Sequence, residues 1–300
     1  MEYKAPIESY GGTVRELALG KEGHSIQLGG DTILPLHFFD EGSLPNPPKF
    51  ALEVLDMEPT NWAESVKEPY KEVLNDPVKW AQKCVELGAD VVCLRLVSTD
   101  PAEKNSPADD AAALAKKVMD AINVPLIVCG SGDETKDVEV LTKVAEACDG
   151  GRILMGPALK ENYEAIGKAA MDHGHSLIAQ SPLDINLLKE LNIKLGKFFP
   201  LERIVIDPMV SGLGYGMEYG FTITERVKQI GIIHKDAMTQ MPILADVSEE
   251  CWKTKEAKTS KEQGLTWEGV TAISLLLAGA NLLILRHPET LNLVKDTVKS

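Results

Sequence analysis

Residues 203–221 read RIVIDPMVSGLGYGMEYGF, a stretch that contains the parts of one strand–loop–helix unit. The apolar, β-branched run Ile204–Ile206 predicts a buried strand. Pro208 has no backbone N–H and disfavours helical backbone at the residue before it. The strand is therefore expected to end at Asp207, with the carboxylate at its C-terminal tip.

Glycines recur after this strand, at positions 212, 214, 216 and 220, and the apolar-periodic segment 223–233 behind them predicts a helix. Because glycine has no Cβ, such a loop can lie against a flat or bulky ligand. A plain connecting loop that needs positive φ angles would carry the same residues. The pattern is therefore compatible with a binding loop and with a simple connection.

The same alternation of strand and helix extends over most of the chain. Strand-like apolar runs are predicted to begin near residues 33, 89, 125, 152, 175, 203, 242 and 281. Strands this uniformly apolar are typical of parallel sheets, which are buried on both faces. Eight β/α units in about 250–270 residues predict an α/β fold of the (β/α)₈ TIM-barrel class. The alternative is a doubly wound sheet, but the G-x-G-x-x-G turn expected after its first strand is absent.

One barrel domain is expected to span residues 1–300, with the barrel itself over about 31–300. Residues 13–29 predict two short strands, a hairpin that we expect across the N-terminal end of the barrel. The acidic, proline-rich segment 40–75 and the charged segment 248–263 are long for plain connections. We expect at least one of them to contact a partner protein.

Composition excludes several classes of function. The net charge is −14, from 31 basic and 45 acidic residues, which argues against nucleic acid or an anionic membrane as partner. No apolar run reaches the roughly 20 residues of a membrane span, and the start is unlike a signal peptide, so a cytoplasmic location is expected.

The five cysteines, at 84, 93, 129, 148 and 251, form no C-x-x-C pair. Buried reduced thiols are expected, and this chain alone should hold neither zinc nor an iron–sulfur cluster.

In a TIM barrel, functional groups lie in the loops that follow the strands. These loops are rich in Gly, Ser and Asp, and they contain no Ser-His-Asp or H-E-x-x-H pattern. We therefore predict a binding face that suits a large planar ligand with amide or carbonyl groups. The predicted tips are His37–Asp40, Ser98–Asp100, Gly130–Asp133, Gly156–Pro157, Ser181–Asn186, Asp207, Asp246 and Arg286–His287.

Four segments resemble one known family: WAQKCVELGADVVCLRL (80–96), SPLDINLLKELNI (181–193), the stretch 203–221, and LLILRHPE (282–289). They are similar to the small (delta) subunit of the corrinoid iron–sulfur protein of the anaerobic acetyl-CoA (Wood–Ljungdahl) pathway, along essentially the whole chain. The resemblance implies a TIM barrel related to pterin-binding barrels such as dihydropteroate synthase.

The resemblance also implies a role and partners. A large subunit would carry a [4Fe–4S] cluster and the corrinoid-binding domain. A separate methyltransferase would deliver a methyl group from methyltetrahydrofolate to the corrinoid, which passes it to acetyl-CoA synthase/CO dehydrogenase. The small subunit would shield the corrinoid at the interface between the subunits. The Asp-x-His-x-x-Gly motif of a histidine-held corrinoid is absent here, so no metal ligand and no catalytic residue of its own is expected.

The expected corrinoid wall comes from two neighbouring units. Asp184 also fits an ordinary helix cap, whereas a cap does not need Asn186. The expected wall residues are Asp184, Asn186, Asp207, Gly212, Gly214, Tyr215 and Gly216.

The alternative is a pterin-dependent methyltransferase or dihydropteroate synthase-like enzyme with Asp207 on the pterin. Arg286 and His287 resemble the Arg and His at the corresponding place in dihydropteroate synthase, which favours this alternative. Against it, the first strand, read as LPLHFFD, lacks the expected Asn, and the fourth, RILMG, offers no polar group.

Overall fold

The computed structural model describes residue 3, residues 7–36 and residues 42–299. Short strands β1 (Leu17–Leu19) and β2 (Ile26–Leu28) precede the main sheet. The remaining strands are β3 (Lys49–Leu55), β4 (Val91–Arg95), β5 (Leu126–Cys129), β6 (Leu154–Ala158), β7 (Ser176–Gln180), β8 (Ile204–Asp207), β9 (Leu244–Asp246) and β10 (Leu282–Leu285). The α-helices are α1 (Glu64–Lys67), α2 (Pro77–Glu86), α3 (Ala108–Ala121), α4 (Glu134–Ala147), α5 (Tyr163–Asp172), α6 (Ile185–Leu195), α7 (Met217–Ile233), α8 (Ser248–Trp252), α9 (Lys261–Ala278) and α10 (Pro288–Lys299).

The eight strands β3–β10 form one parallel sheet in the order β8-β7-β6-β5-β4-β3-β10-β9. The two outer strands of this order meet through a parallel bridge between Ile206 and Ile243, and the Ile206 N–H donates to the carbonyl of Pro242 at 2.9 Å. The sheet therefore comes round into a nearly closed barrel, and each strand is followed by helix. The predicted TIM barrel is confirmed.

The first barrel strand is not where the sequence analysis placed it. It is Lys49–Leu55, KFALEVL, whereas Pro35 and Leu36 lie in a helical turn and residues 37–41 fall outside the described residues. The predicted tip His37–Asp40 is therefore wrong as the end of the first strand, which Asp56 and Met57 follow instead. The sequence pattern does not indicate this strand, because two prolines precede it, it begins with Lys49, and Glu53 interrupts its apolar run.

The N-terminal hairpin is confirmed and packs at the N-terminal end of the barrel. Leu17, Leu19 and Leu28 join the apolar cluster formed by the inward side chains of the barrel strands. The hairpin is anchored there by backbone hydrogen bonds, one of them from the Gly20 N–H to the Arg152 carbonyl at 3.0 Å. The hairpin thus covers this end of the barrel, and the loops that follow the strands lie at the opposite, C-terminal end.

The two segments that are long for plain connections, 40–75 and 248–263, contribute secondary structure and buried side chains to the fold. Residues 40–75 contain β3 and α1, so this segment includes part of the barrel itself. Residues 248–263 contain α8 and bury Cys251, Trp252 and Ala257. A partner contact by either segment stays a prediction. All five cysteines are buried and free of disulfides.

Candidate binding site at the barrel mouth

A buried ion-pair network lies at the C-terminal mouth of the barrel. Glu53, fully buried on β3, accepts from Arg95 Nε at 2.8 Å and from Arg286 Nε at 2.6 Å. Arg95 also donates through Nη2 to Asp246 Oδ2 at 2.5 Å. Burial acts to raise the pKa of Glu53, but the charges of Arg286 and Arg95 outweigh it and lower the pKa to about 2. The carboxylate is therefore ionised, and it holds the two guanidinium groups in place.

Asp207 lies on the other side of the mouth, at the end of β8 as predicted. Its Oδ2 accepts from Gln180 Nε2 at 2.7 Å, and its Oδ1 accepts from the Met209 N–H at 2.9 Å. Burial raises the pKa of Asp207 to about 6. The group can therefore accept hydrogen bonds or, when protonated, donate one to a ligand.

The glycine loop between β8 and α7 is shaped by three different constraints. A Cβ on Gly212 would lie 3.0 Å from the Glu250 carbonyl oxygen, so this glycine allows α8 to approach. Gly216 begins α7 with a φ of 103°, a conformation that favours glycine. Gly214 has a φ of 76°, and a Cβ there would meet nothing within 4 Å among the described residues. The exposed Tyr215 donates through its hydroxyl to Glu256 at 2.9 Å. Only Gly214 thus combines an open surface with a backbone that is free of neighbours.

The SPLDIN segment lies beside this loop. The Leu183 N–H donates to the Pro208 carbonyl at 3.1 Å, which ties the loop after β7 to the loop after β8. Asp184 caps α6, because its Oδ1 accepts from the backbone N–H groups of Asn186 at 2.7 Å and Leu187 at 3.1 Å. Asp184 and Asn186 are both exposed. The structure therefore brings the predicted residues to one side of the mouth, while accounting for Asp184 as a cap.

Exposed apolar side chains on these two loops and on the helices that follow them form a rim. We call this rim the apolar half of the mouth. Two of its members, Leu187 and Met209, line a cavity of about 400 Å³ together with Gln180 and Ser181. Leu183 and Met209 adopt left-handed backbone, with φ of 43° and 60°. The exposed members of the rim are Leu183, Leu187, Met209, Tyr215 and Tyr219.

The polar half of the mouth holds a second cavity of about 550 Å³, between the loops that follow β3, β4 and β9. The guanidinium of Arg286 stacks on Trp62, with Cζ 4.2 Å from the ring centroid. His287, in contrast, is fully buried and stacks on Trp252.

Sequence reasoning missed Glu53, Arg95 and Gln180. Each is a polar residue within or at the end of an apolar strand run. Such a polar residue among apolar ones was the feature of the sequence that could have indicated a buried functional side chain.

Among the described residues no cluster of three or more His, Cys, Asp or Glu side chains could hold a metal ion. Over the same part of the chain, no helix is long and apolar enough to cross a membrane.

Comparison with known structures places the fold among barrels of the dihydropteroate synthase type. The enzyme from Xanthomonas albilineans superposes with a TM-score of 0.58 at 15% identity, over 95% of this chain and 96% of that one. The Yersinia pestis enzyme gives a TM-score of 0.59 at 14% identity, over 84% and 93%. Identities this low establish the fold alone.

Sequence comparison is more specific. The acetyl-CoA decarbonylase/synthase complex subunit delta 2 of Methanosarcina acetivorans is 36% identical over 298 residues, which cover 94% of this chain and 67% of that protein. The family model for the CO dehydrogenase/acetyl-CoA synthase delta subunit matches residues 16–296. This chain belongs to the CO dehydrogenase/acetyl-CoA synthase delta-subunit family, which confirms the resemblance seen in its motifs.

Proposed function

We propose that the chain is the small subunit of a corrinoid iron–sulfur methyl carrier, and that the apolar half of its barrel mouth forms one wall of the corrinoid site. The bound corrinoid would supply the cobalt that carries the methyl group. The chain would bind the macrocycle, orient it and exclude water and oxidants from one face. Membership of the delta-subunit family supports this role.

The observation that carries the proposal is the strained apolar rim. A bulky residue in left-handed backbone is uncommon and costs about 1–2 kcal/mol. Leu183 and Met209 both adopt it, on two loops that are hydrogen-bonded to each other, and both remain well exposed. Strain of this kind concentrates at ligand sites, where the surroundings fix the conformation. A rigid apolar rim suits a flat macrocycle that must be covered.

Polar groups beside the rim suit the amide side chains of a corrin. Asp207 and Gln180 offer an acceptor and an amide within the mouth. Gly214 leaves its backbone open to a ring, Gly212 and Gly216 would hold the loop in place beside it, and Tyr215 stands at its edge. Asp184 and Asn186 would contact the periphery, since both lie exposed on the adjoining loop.

The proposed partners follow from this role. They are a large subunit that holds the [4Fe–4S] cluster and the corrinoid-binding domain, a methyltetrahydrofolate methyltransferase, and acetyl-CoA synthase/CO dehydrogenase. In this assignment no residue of the chain is catalytic. The pterin-dependent alternative expects a histidine beside the ligand, and the burial of His287 against Trp252 counts against it. The absence of the expected Asn also holds for the first strand as the structure has it, KFALEVL, and counts against the pterin-dependent alternative as well.

Gly214→Val provides a direct test with a matched control. Gly214 and Gly174 have nearly the same φ, 76° and 74°, and in neither case would a Cβ meet a described atom within 4 Å. Gly174 precedes β7, at the N-terminal end of the barrel, so Gly174→Val imposes similar strain far from the mouth. Both variants are reconstituted with the large subunit and compared by anaerobic cobalt(I) oxidation and methyl-transfer rates.

Gly214→Val is expected to speed cobalt(I) oxidation several-fold, because the added side chain would hold the macrocycle off the loop. Gly174→Val should leave the oxidation rate unchanged, although the two variants lose similar stability. Asn186→Ala should have a smaller effect, in keeping with about 0.5–1.5 kcal/mol for one hydrogen bond. Equal oxidation rates in wild type and Gly214→Val, with the heterodimer intact, would show that the corrinoid lies elsewhere.

A further inference from the structure

Two cysteines meet inside the barrel, and no role assigned so far uses them. Cys93 lies on β4 and Cys129 on the neighbouring strand β5, and both belong to the inward-facing apolar cluster of the barrel. Their Sγ atoms are 3.9 Å apart. Cys93 is fully buried, Cys129 is 4% exposed, and neither forms a disulfide. Two thiol groups therefore face each other in an interior that solvent barely reaches.

The packing of this cluster does not require sulfur at either position. Its other members are leucine, isoleucine, valine and alanine side chains. A free cysteine packs as a small hydrophobic residue, and a thiol is only a weak donor and acceptor. The contact between the two thiols thus contributes little to the fold. What distinguishes this pair from an alkyl pair is its sulfur chemistry.

A direct disulfide between the two cysteines does not fit the sheet. In the register of β4 and β5, Cys93 is paired with Ile127 and Cys129 with Arg95, so the cysteines are offset by two residues. A strand spacing of about 4.8 Å and a rise of about 3.3 Å per residue put such Cα atoms about 8 Å apart. A disulfide needs about 4.4–6.8 Å. The two sulfur atoms can therefore share a bridging atom more readily than they can bond to each other.

A soft metal cation is the bridging atom that two thiolates select. Metal–thiolate bonds of about 2.3 Å place two sulfur atoms about 4.6 Å apart in a linear site and closer in a bent one. Small rotations of the two side chains reach this range from the observed 3.9 Å. Zinc takes four ligands, and the described residues hold no cluster of three or more His, Cys, Asp or Glu side chains for a metal. Copper(I), a closed-shell monovalent cation, accepts two ligands.

The surrounding charges suit a cation that replaces the thiol protons. The contact with Cys129 and burial raise the pKa of the Cys93 thiol well above its ordinary value, whereas the charge of Arg95 acts in the other direction. Two thiolates with one monovalent cation carry one net negative charge. Arg95 lies directly opposite Cys129 in the sheet, so its guanidinium offsets part of that charge. Its pairs with Glu53 and Asp246 hold it in place.

We propose that Cys93 and Cys129 form a two-coordinate site for a soft monovalent cation of the copper(I) class, enclosed within the barrel. Two sulfur–copper bonds form, two S–H bonds break, and both protons pass to solvent. Copper remains copper(I), so the step needs neither an oxidant nor a reductant. The bound cation ties β4 to β5. This site is independent of the proposed corrinoid wall.

The test is an anaerobic copper(I) titration of the full chain after reduction of its thiols. Copper(I) is supplied as its acetonitrile complex, bicinchoninate competes for weakly held metal, and copper is counted after gel filtration. We expect one copper per chain, with two sulfur neighbours by X-ray absorption. Copper should also raise the melting temperature, because the cation binds the folded barrel in preference to the unfolded chain.

Three variants identify the ligands. Cys93→Ala and Cys129→Ala each remove one thiolate, and both should abolish the retained copper and its effect on melting. Cys148→Ala is the matched control, because Cys148 is also fully buried but packs in the other apolar cluster of the chain. This control should retain one copper. If one of the two ligand variants fails to fold, the other variant and the sulfur count in wild type decide.

Three results would overturn the proposal. They are a wild-type chain that retains no copper against bicinchoninate, copper that persists in both ligand variants, and a wild-type site with three or four sulfur neighbours. Peroxide that removes two hydrogen atoms from wild type but not from Cys93→Ala would also overturn it, since the cysteines would then reach a direct disulfide. None of these results bears on the corrinoid wall, which Gly214→Val tests.

Discussion

The Oε2 of Glu53 accepts a 2.6 Å hydrogen bond from Nε of Arg286 and so links the first strand of the barrel to the last. The two strands are neighbours in the closed sheet, with Leu52 paired to Leu285. The other oxygen of Glu53 is held by Arg95 on the strand at its opposite side. One buried carboxylate therefore pairs with two guanidinium groups, of which Arg95 also pairs with Asp246, and it ties three neighbouring strands together at the mouth.

Glu53→Gln is expected to lower the free energy of unfolding by about 3–5 kcal/mol, because it leaves two buried cations without their shared partner. Urea unfolding monitored by circular dichroism measures the loss. Glu164→Gln is the matched control, since Glu164 forms a 2.7 Å pair with Lys168 on an exposed helix face. Solvent screens an exposed pair, so its loss should change the stability little. A similarly small loss in both variants would show that Glu53 is dispensable.

The contrast between β8 and β3 shows what could be predicted from the sequence. The end of β8 at Asp207 follows from local rules, because an apolar run and a proline are adjacent to it. In β3, a glutamate within the strand argues against burial unless its partners are known. Those partners lie 42 and 233 residues away, at Arg95 and Arg286, and only the closed barrel brings them together.

The residues of the candidate site also fall into two groups, those that local sequence predicts and those whose role depends on the folded barrel. Gly214 and Asp207 were predictable from loop composition and strand ends. The left-handed backbone of Leu183 and Met209 was not, because neither residue type favours it and the constraint comes from hydrogen bonds between two loops. Gln180 was missed for a related reason, since its role depends on the register that sets it beside Asp207.

Asp207→Asn should remove a pH dependence of stability. Burial raises the pKa of Asp207 from its ordinary 3.8 to about 6, so the folded chain binds this proton more tightly than the unfolded chain. The stability from this group is fully present below pH 3.8 and is lost as the pH rises through about 6. The loss amounts to at most about 3 kcal/mol. Asparagine cannot titrate, so it escapes this loss.

Urea unfolding of wild type and Asp207→Asn at pH 4, 5, 6 and 7 measures the effect as a difference. The stability of the variant relative to wild type should increase across this range. Other buried carboxyl groups whose pKa burial raises, such as Asp56 and Asp137, are common to both proteins and cancel in the difference. Parallel profiles would mean that Asp207 titrates near its ordinary pKa.

Lys228 and Asp31 form a buried pair at the N-terminal end of the barrel, completed by a 2.8 Å hydrogen bond from Asn281 Nδ2 to Asp31. Lys228→Met should cost about 3–5 kcal/mol of unfolding free energy, since it leaves Asp31 charged and buried. Replacing both groups, in Lys228→Met/Asp31→Leu, should recover part of that loss. A double variant less stable than Lys228→Met alone would show that the pair is not the source of the cost.

Two substitutions at Asp184 separate its role as a helix cap from its proposed role in ligand binding. Its carboxylate accepts from the N–H groups of Asn186 and Leu187 at the start of α6, so Asp184→Ala should lower the unfolding free energy by about 1 kcal/mol. Asparagine caps helices about as well as aspartate, so Asp184→Asn should keep the stability of wild type. Because Asp184→Asn removes only the charge, a change in cobalt(I) oxidation rate in that variant would reflect contact with the corrinoid. If both variants are equally destabilised and shield equally well, Asp184 acts through its charge on the helix dipole and takes no part in the proposed wall.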